Sequence, residues 1–344
     1  MRVALGEARK GLGKTSPNPA VGALLVVAGR VIGRGHHRVA GGPHAEIECL
    51  SRVKGAIPPK AVLYLTLEPC STAGRTQACT DAILKSGVKR VVVGAVDPNP
   101  QHQGRGIKLL RNAGIEVETG LLADECSRLN EAFNKWIVTG RPFVIAKCGM
   151  SLDGKLTRSP GEPRWITSNV ARRHALKLRA QVDAILVGAK TLRADNPRLT
   201  VRGIRGAKQP WRVVVSRSGN LPKGARLFRD KMKSRTLVYQ GASLSQALND
   251  LGKKEVTSVL IEGGGEILGA ALDARLIDRV QIYLGPLITG GPVMAFAGKG
   301  CAATSDAARL EHVTYNRMGS VVWVTGYPNF SDNSRIIHET LASY

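Results

Sequence analysis

Short apolar runs alternate with helical patterns along almost all of the 344-residue chain, and the alternation begins twice. This rhythm predicts α/β layers with largely parallel strands, because a parallel neighbour is reached through a long, usually helical, crossover. In the first series Ala23 to His37 reads as a hairpin turning at Ala28-Gly29, followed by a helix from His44 to Lys54. Strands at Ala61–Leu67, Arg90–Val96 and Ile115–Thr119 then alternate with helices at Cys79–Lys85, Gly106–Asn112 and Asp124–Val138. Thr139-Gly140-Arg141-Pro142 is rich in turn formers and marks the expected boundary.

Beyond that joint the pattern restarts. Strands are expected at Phe143–Cys148, Ala184–Val187, Arg212–Val215, Thr236–Tyr239, Val256–Ile261, Val280–Leu284 and Val321–Thr325. The clearest helices are Asn169–Gln181 and Glu266–Ala274. The expected organisation is a domain over residues 1–140, a second over 143–327, and a polar tail over 328–344. No period links the two halves, so they share a class of architecture without being repeats.

Composition excludes some functions and leaves one conflict. With 43% hydrophobic residues and a mean hydropathy of −0.07, each half can bury a core. No apolar run approaches the roughly 18 residues needed to cross a bilayer, and no export signal opens the chain. Six cysteines are far too few for a disulfide scaffold, so a cytoplasmic setting is expected. The net charge of +24 suggests nucleic acid, yet only 4% of residues are aromatic, which is thin for base stacking. The excess is also local: Arg158 to Arg235 holds 20 Lys and Arg against 4 Asp and Glu. A basic stretch of that kind suits small phosphorylated ligands, and no specific nucleic acid is expected.

The most specific motif is Pro43-His44-Ala45-Glu46, then Glu68-Pro69-Cys70, then Cys79. One His and two Cys suit Zn²⁺ and leave a fourth position for water, which the metal makes acidic enough to attack near neutral pH. Glu46, two residues from His44, can face the same pocket and shuttle protons without binding the metal; this arrangement is that of zinc nucleobase deaminases. Cys49, Cys126 and Cys148 read as packing residues.

The eight residues between Cys70 and Cys79 depart from the Cys-x-x-Cys of nucleic-acid and nucleoside deaminases. That loop resembles the bifunctional riboflavin-biosynthesis deaminase–reductase family. So do Thr15-Ser-Pro-Asn-Pro19, Val21-Gly22, Ala40-Gly41 and Asp97-Pro-Asn-Pro100. The resemblance covers roughly residues 1 to 327. It implies a cytidine-deaminase-like three-layer domain that removes the 2-amino group of 2,5-diamino-6-ribosylamino-4(3H)-pyrimidinone 5′-phosphate. It also implies that His44, Cys70 and Cys79 hold zinc, that Glu46 is catalytic, that Asn18 bonds the substrate and that His37 lines the pocket. By the same resemblance the chain begins within the family's first helix.

In the second half, Ser151-Leu-Asp-Gly-Lys155, Trp165-Ile-Thr167, Leu178-Arg-Ala180, Asp183-Ala-Ile-Leu-Val-Gly188 and Ala194-Asp-Asn-Pro-Arg-Leu-Thr200 match the family in order. The implied domain is dihydrofolate-reductase-like and uses NADPH to reduce the ribosyl group to ribityl. Val259-Leu-Ile-Glu-Gly-Gly-Gly265 agrees: a strand running into glycines and a helix can bring backbone N–H groups to a phosphate. The resemblance assigns Trp165, Thr191, Asp195 and Gly264, Gly265, Glu266, Ile267, Leu268, Gly269 and Ala270 to the cofactor. It assigns Lys147, Arg179, Leu199, Arg202 and Glu262 to the substrate. A homo-oligomer is expected.

Several positions depart from the family pattern: Thr72 for the usual loop His, Gln77-Ala78 for Pro-Pro, Ala23 for Cys, Pro163 for Ser, Asn196 for Asp, and Ser216 for Asp. Two other readings stay open at this level. One is an RNA-editing adenosine deaminase with an appended binding domain; the other is a reductase half decayed into a nucleotide-binding regulatory module.

Overall fold

The computed structural model describes residues 1–72, 78–156 and 165–330. Positions 73–77 of the cysteine loop, Pro163, and 331–344 of the expected tail lie outside the described residues. Two compact units divide the described chain, Met1–Gly140 and a second beginning at Arg141.

The first unit runs α1 (Arg2–Arg9), β1 (Gly22–Val27), β2 (Arg30–His36), α2 (Ala45–Leu50), β3 (Val62–Leu67) and α3 (Cys79–Ser86). It continues through β4 (Arg90–Ala95), α4 (Arg105–Asn112), β5 (Glu116–Thr119), α5 (Ala123–Leu129) and α6 (Glu131–Thr139). The sheet order is β2-β1-β3-β4-β5. β1 is antiparallel to both neighbours, whereas β3, β4 and β5 are parallel. β4 lies inside the parallel set, so its Val91-Val92-Val93 run is buried without alternation. Leu25, Leu63, Leu65, Ile83 and Leu110 form the centre of the core. Burying each such side chain contributes about 1.5–3 kcal/mol.

Gly35 on β2 brings α2 in close. A Cβ there would lie 2.2 Å from the Ala45 carbonyl oxygen and 2.4 Å from the Cys49 nitrogen. The helix carrying Glu46 therefore depends on a missing side chain in the edge hairpin.

Two expected helices change. The one read from His44 to Lys54 ends at Leu50, where the chain turns through Ser51 and Val53 onto the preceding carbonyls. The one read over Asp124–Val138 is two helices broken at Asn130. Asn130 is buried, and its side chain accepts from the Ala20 N–H at 2.8 Å and donates to the Ala20 carbonyl at 3.0 Å. That tertiary pairing with a distant backbone accompanies the break in a pattern that is locally helical.

The second unit contains β6 (Phe143–Met150), α7 (Asn169–Leu178), β7 (Ala184–Gly188), α8 (Ala189–Asp195), β8 (Trp211–Ser216), α9 (Arg226–Arg229) and β9 (Thr236–Gln240). Then come α10 (Leu244–Lys253), β10 (Ser258–Ile261), α11 (Gly265–Asp273), β11 (Arg279–Leu284), β12 (Arg309–Met318) and β13 (Val321–Asn329). The eight-stranded sheet is ordered β12-β13-β11-β6-β10-β7-β8-β9. It is parallel from β11 to β9, with the β12–β13 ribbon added antiparallel at one edge. The sequence reading passes over β12, because Arg309 to Met318 is an exposed edge strand with few apolar residues. The core gathers Val144, Leu186, Val213, Leu251, Val259 and Ile261 around the central parallel strands.

Candidate active sites

In the first unit the ends of three elements converge. His44 is the residue before α2, Cys70 follows β3 after Glu68-Pro69, and Cys79 opens α3. The ligand atoms of these three residues all lie within 4.8 Å of one another. His44 Nδ1 is 3.2 Å from Cys79 Sγ and 3.6 Å from Cys70 Sγ, and the Cys79 N–H donates to Cys70 Sγ at 3.3 Å. Cys79 is buried and the other two are half-buried.

The electrostatics match a cation at this point. A hydrogen bond from Cys79, with help from His44, pulls the Cys70 thiol well below its ordinary value. The same bond and burial push Cys79 up, and the bond to Cys70 raises His44. Two thiolates this close repel each other, and a bound Zn²⁺ would supply the charge that lets both ionise. One imidazole and two thiol sulfurs at hydrogen-bond separations are therefore a donor set that fits zinc.

Glu46, in the first turn of α2, is 3% exposed, and burial pushes its carboxyl up to about 7. Such a group can hold or release a proton near neutral pH. His37 is buried, and its ring centroid lies 5.2 Å from that of His44. His37 Nδ1 is 3.0 Å from the Pro43 carbonyl, which can only accept, so this nitrogen carries the hydrogen. Nε2 is then left to accept from the Asn18 amide at 3.3 Å. The relay decides which end of the Asn18 amide is a donor. Burial lowers the His37 pKa, in keeping with a neutral ring. Asn130, which the sequence reading missed, pins Ala20 two residues from Asn18. No motif marks it; only the fold brings it to that loop.

In the second unit a cavity of about 540 Å³ opens among β6, α7, β10 and β11. Lys147, Trp165, Arg179, Arg202 and Glu262 all line it. Glu262 directly follows β10 and receives a two-pronged bond from Arg179, Nε to Oε1 at 2.8 Å and Nη2 to Oε2 at 2.7 Å. Arg179 Nη1 also donates to the Thr200 carbonyl at 3.1 Å. Burial pushes Glu262 up, but Arg179, with Lys147 and Arg202, pulls harder and holds it below the usual carboxylate range. The cavity thus keeps one carboxylate among several cations.

Other expected residues lie elsewhere. Leu199 is buried and does not line this cavity. Thr191 and Asp195 sit on α8, and Thr191 Oγ1 lies 2.8 Å from where a Cβ on Gly264 would be. The glycine run divides in two. Gly264 is the positive-φ residue before α11, whereas Gly265 and Gly269 face the 294–298 segment so closely that a Cβ would come 1.9 Å from Met294 O and 2.2 Å from Gly298 N. Leu268 belongs to the core and Ile267 packs beside it, while Glu266 is exposed and paired with Lys190, and Ala270 is exposed.

The sequence reading also missed lining residues. Arg172 and Arg173 on α7 face the cavity, and the Arg172 guanidinium stacks 3.8 Å over Trp165. Tyr283 on β11 lines it as well, bonded to His174 at 2.8 Å and to Gln281 at 2.9 Å. Helical spacing could have signalled Arg172, which lies two turns before Arg179. Tyr283 lies in an ordinary strand pattern and carried no signal.

The comparisons with known proteins follow the same division. Residues 1–95 match the cytidine and deoxycytidylate deaminase zinc-binding region, and residues 142–324 match the RibD C-terminal domain. The riboflavin biosynthesis protein RibD of Aquifex aeolicus is 39% identical over 310 residues, covering 84% of this chain and 87% of that protein. That of Escherichia coli is 38% identical over 322 residues, covering 84% and 88%. Among solved structures, Acinetobacter baumannii RibD superposes with a TM-score of 0.87 at 34% identity, over 95% of this chain and 97% of that one. A deaminase/reductase from Thermotoga maritima gives 0.86 at 34% identity, over 96% and 97%.

A zinc-binding deaminase unit followed by a pyrimidine-reductase unit defines a bifunctional deaminase–reductase. The match through both units removes the RNA-editing reading. This chain belongs to the RibD family of riboflavin biosynthesis proteins. Its cofactors are zinc in the first unit and NADPH in the second. Among the described residues no helix is long and apolar enough to cross a membrane.

Proposed function

We propose that the first unit deaminates 2,5-diamino-6-ribosylamino-4(3H)-pyrimidinone 5′-phosphate and that the second reduces the deaminated ribosyl compound to its ribityl form. The observation that carries the reading is the convergence of His44, Cys70 and Cys79 beside buried Glu46. These three residues hold zinc, which supplies Lewis-acid activation of a water molecule. The Glu46 carboxylate takes a proton from the attacking water and returns it to the departing amine, so ammonia leaves and a carbonyl replaces the amino group. Asn18, oriented through His37 and Pro43, hydrogen-bonds the pyrimidine.

In the second unit the cavity at Lys147, Arg202 and Glu262 receives the phosphorylated sugar. Arg179 uses three of its five N–H donors on Glu262 and Thr200, so Lys147 and Arg202 carry more of the phosphate. NADPH supplies the hydride. Trp165, Thr191, Asp195 and the turn into α11 at Gly264 would hold the cofactor, and the backbone N–H groups of that turn suit its phosphates. The functional boundary falls between residues 140 and 143, and the enzyme works in the cytoplasm as a homo-oligomer.

Purified protein incubated with the diaminopyrimidine phosphate should give the deaminated product alone, and the ribityl product once NADPH is added, both read by mass. Activity on a tRNA anticodon stem-loop with none on the pyrimidine would sink the reading. NADPH binding without oxidation in the presence of the deaminated compound would instead mark the second unit as regulatory.

A further inference from the structure

We propose that Glu68 is a positioning residue of the zinc centre: its buried carboxylate clamps the strand end bearing Cys70 onto the 97–107 segment and so sets where that ligand stands. The inference rests on Cys70 being a zinc ligand. Glu68 is 3% exposed. Its Oε2 accepts the N–H groups of Asp97 at 3.1 Å and Gly104 at 2.9 Å, and its Oε1 accepts those of Gly106 at 2.9 Å and Ile107 at 3.3 Å. Gly106 and Ile107 lie in the first turn of α4, where unpaired N–H groups favour a negative charge. The Glu68 N–H in turn donates to the Ala95 carbonyl at 2.9 Å, extending the β3–β4 ladder.

One carboxylate therefore gathers four backbone donors, from the segment after β4 and from the start of α4, at the end of β3. The adjoining segment touches the same turn directly. A Cβ on Gly106 would lie 2.2 Å from the Pro69 carbonyl oxygen, so Pro69 rests on the backbone of α4. Cys70 emerges from this clamp and is caught on its far side, where its carbonyl accepts from Thr80 at 3.2 Å and its Sγ from the Cys79 N–H at 3.3 Å. Proline between clamp and ligand leaves little backbone freedom to absorb a shift.

The charge requirement follows from the donor count. A carboxylate offers about four lone-pair sites, enough for four N–H groups. Glutamine keeps the shape but replaces one oxygen with an NH₂, which would face two of those donors and leave them orphaned. Glu68→Gln should therefore move Cys70 without deleting a ligand. Gly106→Ala should do so without changing any polar group, by pressing on Pro69.

The test is zinc retention by the full-length protein under rising chelator concentration, with deamination and reduction rates measured on the same samples. Both variants should lose zinc at about ten- to a hundredfold lower chelator, as expected when a group that orients a metal ligand is removed. The deamination kcat should fall with little change in KM, and the reduction rate should stay at wild type. A merely structural role would lower the melting temperature while leaving chelator resistance of the folded protein intact. Wild-type zinc retention in Glu68→Gln, or in Gly106→Ala or Glu68→Asp should the first variant not fold, overturns the proposal. Cys70→Ser separates the two layers: if it keeps its zinc, the ligand assignment itself has failed.

Discussion

The two sites are built on opposite plans. The deaminase unit gathers three residues able to hold a metal within 36 residues of sequence, each near the end of a helix or strand, with their ligand atoms all within 4.8 Å. The cavity of the second unit draws Lys147, Arg179, Arg202, Glu262 and Tyr283 from five separate stretches, with long-range bonds such as Arg179 to Glu262 among them. A metal centre demands particular atoms at particular distances, so its residues and their spacing stand out in a sequence. A cavity proposed to take a sugar phosphate demands only a sum of charge and shape, which many residue sets can meet.

This contrast can be broken most decisively at the metal centre. Glu46→Gln should lower deamination by about 10²–10⁴-fold, the usual contribution of a general acid–base group, and leave NADPH oxidation with supplied intermediate near wild type. Parallel loss of both rates in a folded protein would show that the two plans are not independent. Cys70→Ser should lower the zinc content of purified protein, read by metal analysis, without affecting reduction.

At the cavity, Glu262→Gln leaves the buried Arg179 guanidinium without its counter-charge, which costs about 3–5 kcal/mol in comparable pairs. The second unit should melt earlier and reduction should fail, while deamination persists. The pH dependence has a definite sign. Because the folded-state pKa of Glu262 is depressed, its stabilisation is present above the ordinary carboxylate value and disappears as the pH falls through the folded value. The variant should lack this acid-side loss in a urea-melt series from pH 6 downwards. Retention of the full slope would assign it to other carboxylates.

Smaller effects sharpen the comparison. Asn130→Ala removes two bonds to the Ala20 backbone and should destabilise the first unit by about 1–3 kcal/mol, since a buried N–H and C=O lose their partners. Its KM for the pyrimidine should rise more than its kcat falls, because Asn18 lies two residues away. Lys190→Ala breaks an exposed pair with Glu266 and should change stability by less than about 1 kcal/mol. A large loss of NADPH affinity in that variant would place the start of α11 closer to the cofactor than its packing suggests.

Much of this was legible in the residues. His44, Glu46, Cys70 and Cys79 could be picked out because soft ligands and a nearby acid have little other reason to recur at strand ends and helix starts. The alternating strands were legible for a related reason: β4 and β7 are buried inside parallel sets and must be apolar throughout. β12 was not, because an exposed edge strand is free to be polar. The break at Asn130 was not, because its cause lies at Ala20, 110 residues away. Glu68 was quoted within a motif, but its four donors come from residues 97 to 107.

What the sequence determined by itself is the chemistry on offer: one His and two Cys suited to zinc, an acid, a glycine turn into a helix, and an excess of cations between Arg158 and Arg235. Those are properties of residue types and short spacings, which survive without knowledge of the fold. Only the tertiary structure decided the division of labour among them. It ties Arg179 to Glu262, turns Gly265 and Gly269 toward a neighbouring segment, and hangs the Cys70 ligand from α4 through Glu68. Each of these depends on which groups meet across long stretches of chain, and burial makes those meetings obligatory, because a charge or N–H removed from water must find its partner wherever the fold has put it.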